Sequence, residues 1–210
     1  MIGFYNYTVI LTYAGLTSAL IGIFATLQNH PIVGLICLMV AGLCDMFDGK
    51  VARTRERTRE EKNFGIQIDS LCDLVCFGVL PTVIAFSVGL RQWYYIPILI
   101  LFVLCGLIRL AYYNVTEIVR EQETDEVRRA YLGLPITFSA VFVPLAYTLR
   151  GFLPERWFAP FFGVVLLAIG VAYITPFSIS KPGKFKITFL IVLGALLTAF
   201  FVWSAFHSAA

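Results

Sequence analysis

Charge is what this sequence has least of. Only 14% of its 210 residues are Asp, Glu, Lys or Arg, where a soluble domain carries about 25%. That scarcity excludes an ordinary soluble fold. Long polar linkers are missing too, so a second, soluble domain has no room and residues 1–210 form a single membrane domain. A basic leader with a small-residue cleavage site is absent, so the first apolar run reads as a retained span. The five cysteines, Cys37, Cys44, Cys72, Cys76 and Cys105, all lie inside apolar runs, which leaves no pair for a disulfide framework. Cys72 and Cys76 are one helical turn apart, a spacing open to soft-metal ligation but better suited to small packing residues. Of the two histidines, His30 and His207, each falls near a span end and reads as interfacial.

What is abundant is apolar. Hydrophobic residues make up 59% and aromatics 15% of the chain, with a mean hydropathy of +0.83. Runs of about 20 apolar residues suffice to cross a bilayer, and seven candidates occur: roughly 8–28, 31–52, 64–88, 93–116, 133–149, 157–175 and 186–206. The fifth is short and carries Pro144. The expected fold is an all-α polytopic membrane bundle with about seven spans. Trp93, Trp157 and Trp203 suit membrane interfaces, and the many phenylalanines suit a lipid-facing surface.

The basic residues are distributed unevenly. Lys50, Arg53, Arg55, Arg57, Arg59 and Lys62 follow the second span, Arg120, Arg128 and Arg129 the fourth, and Lys181, Lys184 and Lys186 precede the seventh. The alternate loops hold only Arg91, Arg150 and Arg156. The positive-inside rule therefore places the rich loops in the cytoplasm. The run Arg55–Lys62 reads first as a solvated turn against anionic headgroups; nothing else in the chain suggests nucleic-acid binding. Arg109 alone lies well inside a span, where a guanidinium must face the bundle interior or a wet cavity and find a partner.

Of the 13 acidic residues, Asp45, Asp48, Asp69 and Asp73 sit within apolar sequence. Each such group costs about 2.5–3.5 kcal/mol on insertion scales, so the four must share partners. Asp45, Asp48, Gly49, Ala52 and Arg53 share one helical face by their spacing, and Gly65, Asp69 and Asp73 share one on the next helix. The connection is short, so the two helices run antiparallel and the acidic faces can meet. Carboxylates without a nearby His or thiolate-rich set form a hard oxygen site suited to Mg²⁺, Mn²⁺ or Ca²⁺. Four charges can hold two divalent ions, the arrangement that serves displacement at phosphorus. Asp45 lies roughly 12 Å along the helix from Arg53, at about 1.5 Å per residue, within reach of a lipid headgroup. Gly49 and Ala52 leave a gap for a ligand, or serve close helix packing. From spacing alone, a cation-transport path competes with an enzyme.

The segment Asp45-Met-Phe-Asp48-Gly49-Lys-Val-Ala52-Arg53, followed by Gly65-Ile-Gln-Ile-Asp69-Ser-Leu-Cys-Asp73, resembles the signature of the CDP-alcohol phosphotransferases, D-x-x-D-G-x-x-A-R then G-x-x-x-D-x-x-x-D. The connection from Arg53 to Gly65 is longer than the family pattern, which affects loop contacts more than the acidic faces. The resemblance implies a homodimeric fold with a six-helix core and two divalent ions, Mg²⁺ or Mn²⁺, on Asp45, Asp48, Asp69 and Asp73. It implies a nucleotide-lipid site at Asp48, Gly49, Ala52, Arg53 and Gly65, and Asp73 as general base. Ile68-Asp69-Ser70-Leu71, Asp73-Leu-Val-Cys-Phe77-Gly78-Val-Leu-Pro81, Arg109-Leu-Ala-Tyr-Tyr-Asn114 and Gly133-Leu134-Pro135 resemble the branch that uses serine as acceptor. The implied reaction joins the phosphatidyl group of CDP-diacylglycerol to the L-serine hydroxyl and releases CMP. Arg109 and Asn114 are candidates for the serine or phosphate pocket; Ser178, Ser180 and Lys181 are weaker ones. Glycerol 3-phosphate or an inositol phosphate as acceptor, and a divalent-cation transporter, are the alternatives. A prokaryotic plasma membrane is the expected location.

Overall fold

The structure, a computed structural model, describes residues 3–4, 7–52, 54–123, 130–180 and 184–207. Side chains are described throughout these except at 118–123, 130–132, 178–180, 184–191 and 204–207. The helices are α1 (Ile10–Leu27), α2 (Pro31–Ala52), α3 (Arg59–Asp73), α4 (Leu80–Ser87), α5 (Ile96–Glu123), α6 (Ser139–Thr148), α7 (Glu155–Ile174) and α8 (Lys184–His207). A π-helical stretch, Leu74–Val79, joins α3 to α4 without a break.

The protein is an all-α polytopic membrane protein. Five stretches among the described residues are long and apolar enough to span a bilayer: Tyr7–Leu27, Pro31–Ala52, Arg59–Ser87, Trp93–Glu117 and Glu155–Ile174. They coincide with five of the seven expected runs. The other two are represented by shorter apolar helices, Ile136–Gly151, which carries Pro144, and Val192–Trp203. One feature differs from the purely helical expectation. A small antiparallel ribbon pairs β1 (Ala130–Leu132) with β2 (Ser178–Ser180). Three-residue strands are too short to show an alternating pattern, so only their meeting in space reveals them.

Local chemistry sets the turns. Between α1 and α2, Asn29 takes a left-handed conformation (φ 66°), which Asn tolerates better than most residues. Pro31 then opens α2, where its missing N–H is no loss. The tight turn makes α1 and α2 antiparallel, and Tyr7 Oη and Thr54 Oγ1 close the far end at 3.0 Å. Small residues let the two helices touch: a β-carbon on Gly22 would lie 2.8 Å from Cys37 Cβ, and one on Gly15 3.4 Å from Cys44 Cβ. All five cysteines are free thiols, and those in contact with α1 act as packing residues.

The phenylalanines divide, correcting the lipid-facing expectation. Phe24 and Phe152 are exposed, but Phe77, Phe102, Phe162 and Phe201 are among the largest fully buried side chains. They come from four different helical segments and fill the centre of the bundle with Leu35, Leu38, Leu80, Ile84 and Leu166. In lipid, packing rather than hydrophobicity holds helices together, and large flat rings supply contact area where glycines leave room. Trp93, Trp157 and Trp203 are exposed, as interfacial residues should be.

Candidate functional site

The site lies where the C-terminal part of α2 meets α3. The start of α3 is set by a capping box. Thr58 Oγ1 accepts from the Glu61 N–H at 3.2 Å, and Glu61 Oε2 accepts from the Thr58 N–H at 3.0 Å. Arg55 adds an ion pair to Glu61 at 3.6 Å. A helix whose first turn is fixed this way has its phase fixed as well, so Gly65, Asp69 and Asp73 face one direction.

Directly after Asp73 the helix widens. The Leu80 N–H donates to the Val75 carbonyl five residues back, and Thr82 Oγ1 donates to the Gly78 carbonyl at 2.8 Å. Pro81 has no N–H to give and its ring crowds the preceding turn. A π turn relieves this while keeping one continuous span, and such turns recur at functional sites. It separates the phase of the acidic face from that of the buried Phe77–Ile84 face.

The expected aspartates come together. Ligand oxygens of Asp45, Asp48 and Asp69 all lie within 4.8 Å of one another. The pairs nest as antiparallel helices require: Asp48 lies beside Asp69, and Asp45, about one turn earlier on α2, beside Asp73. All four are part-buried. Ionised carboxylates only accept hydrogen bonds, so contacts of this kind need a cation or protons between them. Asp69 Oδ1 is buried with no hydrogen-bond partner. Hard oxygen donors at this spacing, with an orphaned acceptor among them, fit a divalent cation.

Thr12 of α1, which the sequence reading passed over, belongs to the cluster. Its buried hydroxyl donates to Asp48 Oδ2 at 3.3 Å. The only signal in the sequence was a polar residue in an apolar helix, which threonines often supply by bonding their own backbone, as Thr17 and Thr26 do here.

The small residues separate into two kinds. A β-carbon on Gly49 would meet nothing within 4 Å, so close helix packing does not explain that glycine and the space beside the acids is open. Ala52 is part-buried at the end of α2. A β-carbon on Gly65 would stand 3.1 Å from Arg57 Nη1. Arg53 lies outside the described residues.

Beside the cluster is a cavity of about 320 Å³ lined by residues of α5, α7 and the segments near the ribbon, among them Arg109, Tyr113, Gly133, Tyr173 and Thr175. Arg109 connects the two: it lines the cavity and is an electrostatic neighbour of both Asp45 and Asp73. Its guanidinium also lies 5.7 Å from the Tyr113 ring centroid. Gly133 (φ +72°) forms part of the wall, and a β-carbon there would stand 2.7 Å from the Tyr173 carbonyl oxygen. The Gly133 and Leu134 N–H groups donate to the Phe177 and Ala172 carbonyls at 2.8 and 3.0 Å, tying this segment to the end of α7. Asn114 is not among the residues lining the cavity; it is buried and accepts from Ser70 Oγ at 2.9 Å. That bond pins α5 to α3 beside Asp69. The side chains of Ser178, Ser180 and Lys181 lie outside the described set.

A polytopic helical membrane protein with a hard-oxygen site between two antiparallel spans defines the class. A family model described as CDP-alcohol phosphatidyltransferase matches residues 5–175, and the chain belongs to that family. It is 42% identical over 115 residues to a CDP-diacylglycerol--serine O-phosphatidyltransferase of Saccharomyces cerevisiae, covering 53% of this chain and 41% of that protein. It is 31% identical over 168 residues to an archaetidylserine synthase of Methanothermobacter thermautotrophicus, covering 79% and 66%. To a CDP-diacylglycerol--serine O-phosphatidyltransferase of Helicobacter pylori it is 32% identical over 184 residues, covering 83% and 73%. The matched segment thus spans about two fifths of the yeast protein and just under two thirds of the archaeal one.

Proposed function

We propose that this protein transfers the phosphatidyl group of CDP-diacylglycerol to the hydroxyl of L-serine, giving phosphatidylserine and CMP. The observation that carries the reading is the juxtaposition of nested aspartate pairs, the open space beside Gly49 and the Arg109-lined cavity. Relatives named for serine as the acceptor alcohol support the choice of substrate.

Asp45, Asp48, Asp69 and Asp73 would hold divalent ions, Mg²⁺ or Mn²⁺, two per subunit. When bound, such ions supply positive charge to the diphosphate and to the departing CMP. The protein's own residues do the rest. Gly49, Ala52 and Gly65 would border the nucleotide, Arg53 is assigned there by the signature alone, and the acyl chains of the lipid would stay in the bilayer. Arg109 presents a fixed positive charge at the cavity, suited to the serine carboxylate. A neutral hydroxyl is a poor nucleophile, so a positioned base takes its proton as the oxygen attacks the phosphorus bearing diacylglycerol. Asp73 is the proposed base: it shares Arg109 with Asp45, and a carboxylate that also holds a metal can still accept a proton. The new bond is serine oxygen to phosphorus, and the bond that breaks links this phosphorus to the oxygen leaving with CMP.

The positive-inside rule applied to the basic loops supports a cytoplasmic aspartate end, from which serine would enter and CMP depart. A prokaryotic plasma membrane and a homodimer complete the reading. The test is metal-dependent CMP release from CDP-diacylglycerol by purified protein, with serine, glycerol 3-phosphate and inositol phosphate compared. Release with serine alone, lost in Asp73→Asn, supports the proposal. Release with another alcohol overturns the acceptor, and metal flux across proteoliposomes without CMP release points to a transporter.

A further inference from the structure

Arg57 immediately precedes the Thr58 cap of α3, in a run that reads at first as a solvated turn. From 54 to 60 it is the one residue that is not exposed. Gly65 is the reason. With Nη1 only 3.1 Å from the place a β-carbon would take, the guanidinium lies against the bare backbone of α3. Gly65 is on the face that carries Asp69 one turn further in. The capping box fixes the backbone next to Arg57, so the placement is built in.

Arg59 and Lys62 in the same run are exposed, and several other basic side chains at the two ends of the bundle are occupied. Arg55 pairs with Glu61 at 3.6 Å, and Lys50 sits 5.0 Å from the Phe47 ring centroid. At the opposite end Arg91 donates to the Phe86 and Ser87 carbonyls, both at 3.3 Å, and Arg150 to Tyr147 Oη at 3.1 Å. Arg57 has no hydrogen-bond or ion-pair partner among the described residues. A guanidinium offers five donors in a planar fork that matches phosphate oxygens. Held half-buried without acceptors at the mouth of a phosphoryl-transfer site, it is a clamp awaiting an anion.

We infer that Arg57, resting against the bare backbone of α3 at Gly65, binds the diphosphate of the nucleotide lipid. The inference rests on the reading of the site as one for CDP-diacylglycerol. The shared chemistry is a phosphate ester at the membrane surface, which an anionic headgroup also offers.

The experiment measures CDP binding with Mn²⁺ by calorimetry, using the full chain in a nonionic detergent free of phospholipid. Wild type is compared with Arg57→Ala, Arg57→Lys and, as a charge-matched control, Arg55→Ala. Loss of one charge-assisted contact should weaken CDP binding about tenfold in Arg57→Ala, less in Arg57→Lys, and not in Arg55→Ala. In turnover, Arg57→Ala should raise KM for CDP-diacylglycerol and leave KM for serine unchanged. Equal CDP affinity in Arg57→Ala and wild type overturns the inference. So does a loss confined to binding of added short-chain phosphatidylglycerol, which would assign Arg57 to a headgroup. CDP binding by wild type without CMP release on serine would sink the transfer reading while leaving the Arg57 comparison intact. No CDP binding by wild type overturns both.

Discussion

The two halves of α2 are made of similar residues and do opposite things. From its start to its middle, added methyl groups would collide: a β-carbon on Gly42 would lie 2.8 Å from Ala140 Cβ, and one on Gly34 would run into Thr26 Oγ1. In the second half, Gly49 faces space with nothing inside 4 Å, between Asp48 and the end of the helix. Glycine in a membrane helix is thus two different instruments. One removes volume so that a neighbouring helix can approach; the other lies beside open space.

The sharpest way to break this comparison is at the acids. Asp73→Asn should lower CMP release by about 10²–10⁴, the range for a lost general base, with the thermal melt in detergent unchanged. Retained activity would remove Asp73 from the chemistry. Asp69→Asn removes an oxygen from the three-carboxylate group and should weaken Mn²⁺ binding by more than about tenfold, measured by titrating activity or by calorimetry. The glycines offer a paired test with opposite signs. Gly42→Ala overpacks the α2–α6 contact and should cost about 1–3 kcal/mol, read as a lower melting temperature. Gly49→Ala should instead hold or raise the melting temperature, since Ala is the better helix former by about 1 kcal/mol, while raising KM for the nucleotide lipid. If Gly49→Ala melts lower and binds normally, the two halves of α2 are not different in kind. The smallest effect is expected at Thr12→Val, which keeps the shape and loses the 3.3 Å bond to Asp48. Its Mn²⁺ requirement should rise severalfold, and Thr12→Ser should restore it.

Much of this site was legible because helices are local objects. Residues three and four apart share a face whatever surrounds them, so the face Asp45–Asp48–Gly49–Ala52 and the face Gly65–Asp69–Asp73 follow from spacing. That they meet follows from a short connection and from the cost of leaving carboxylates alone in lipid. The same logic identified the spans, because backbone groups in a bilayer must satisfy themselves within a helix. Arg109 also stood out, as a lone cation in apolar sequence, and it does face both the acids and a cavity.

What stayed hidden depends on contacts between segments distant in the chain. Thr12 reaches Asp48 across the α1–α2 interface. Ser70 donates to Asn114, the residue that the family resemblance made a candidate for the acceptor pocket. The three-residue ribbon and the Gly133 wall exist only because the end of α7 arrives beside them.

By itself, then, the sequence determined the membrane class, the approximate spans, the two acidic faces and the hard-oxygen character of their meeting, since each follows from periodicity, charge and solvation along short stretches. The tertiary structure alone decided which glycine packs and which opens a space, which threonine orients a carboxylate, and where the Arg57 guanidinium comes to rest. Those outcomes turn on distances of a few ångströms between helices, and helix crossings are set by the interlocking of side chains from segments far apart in the chain.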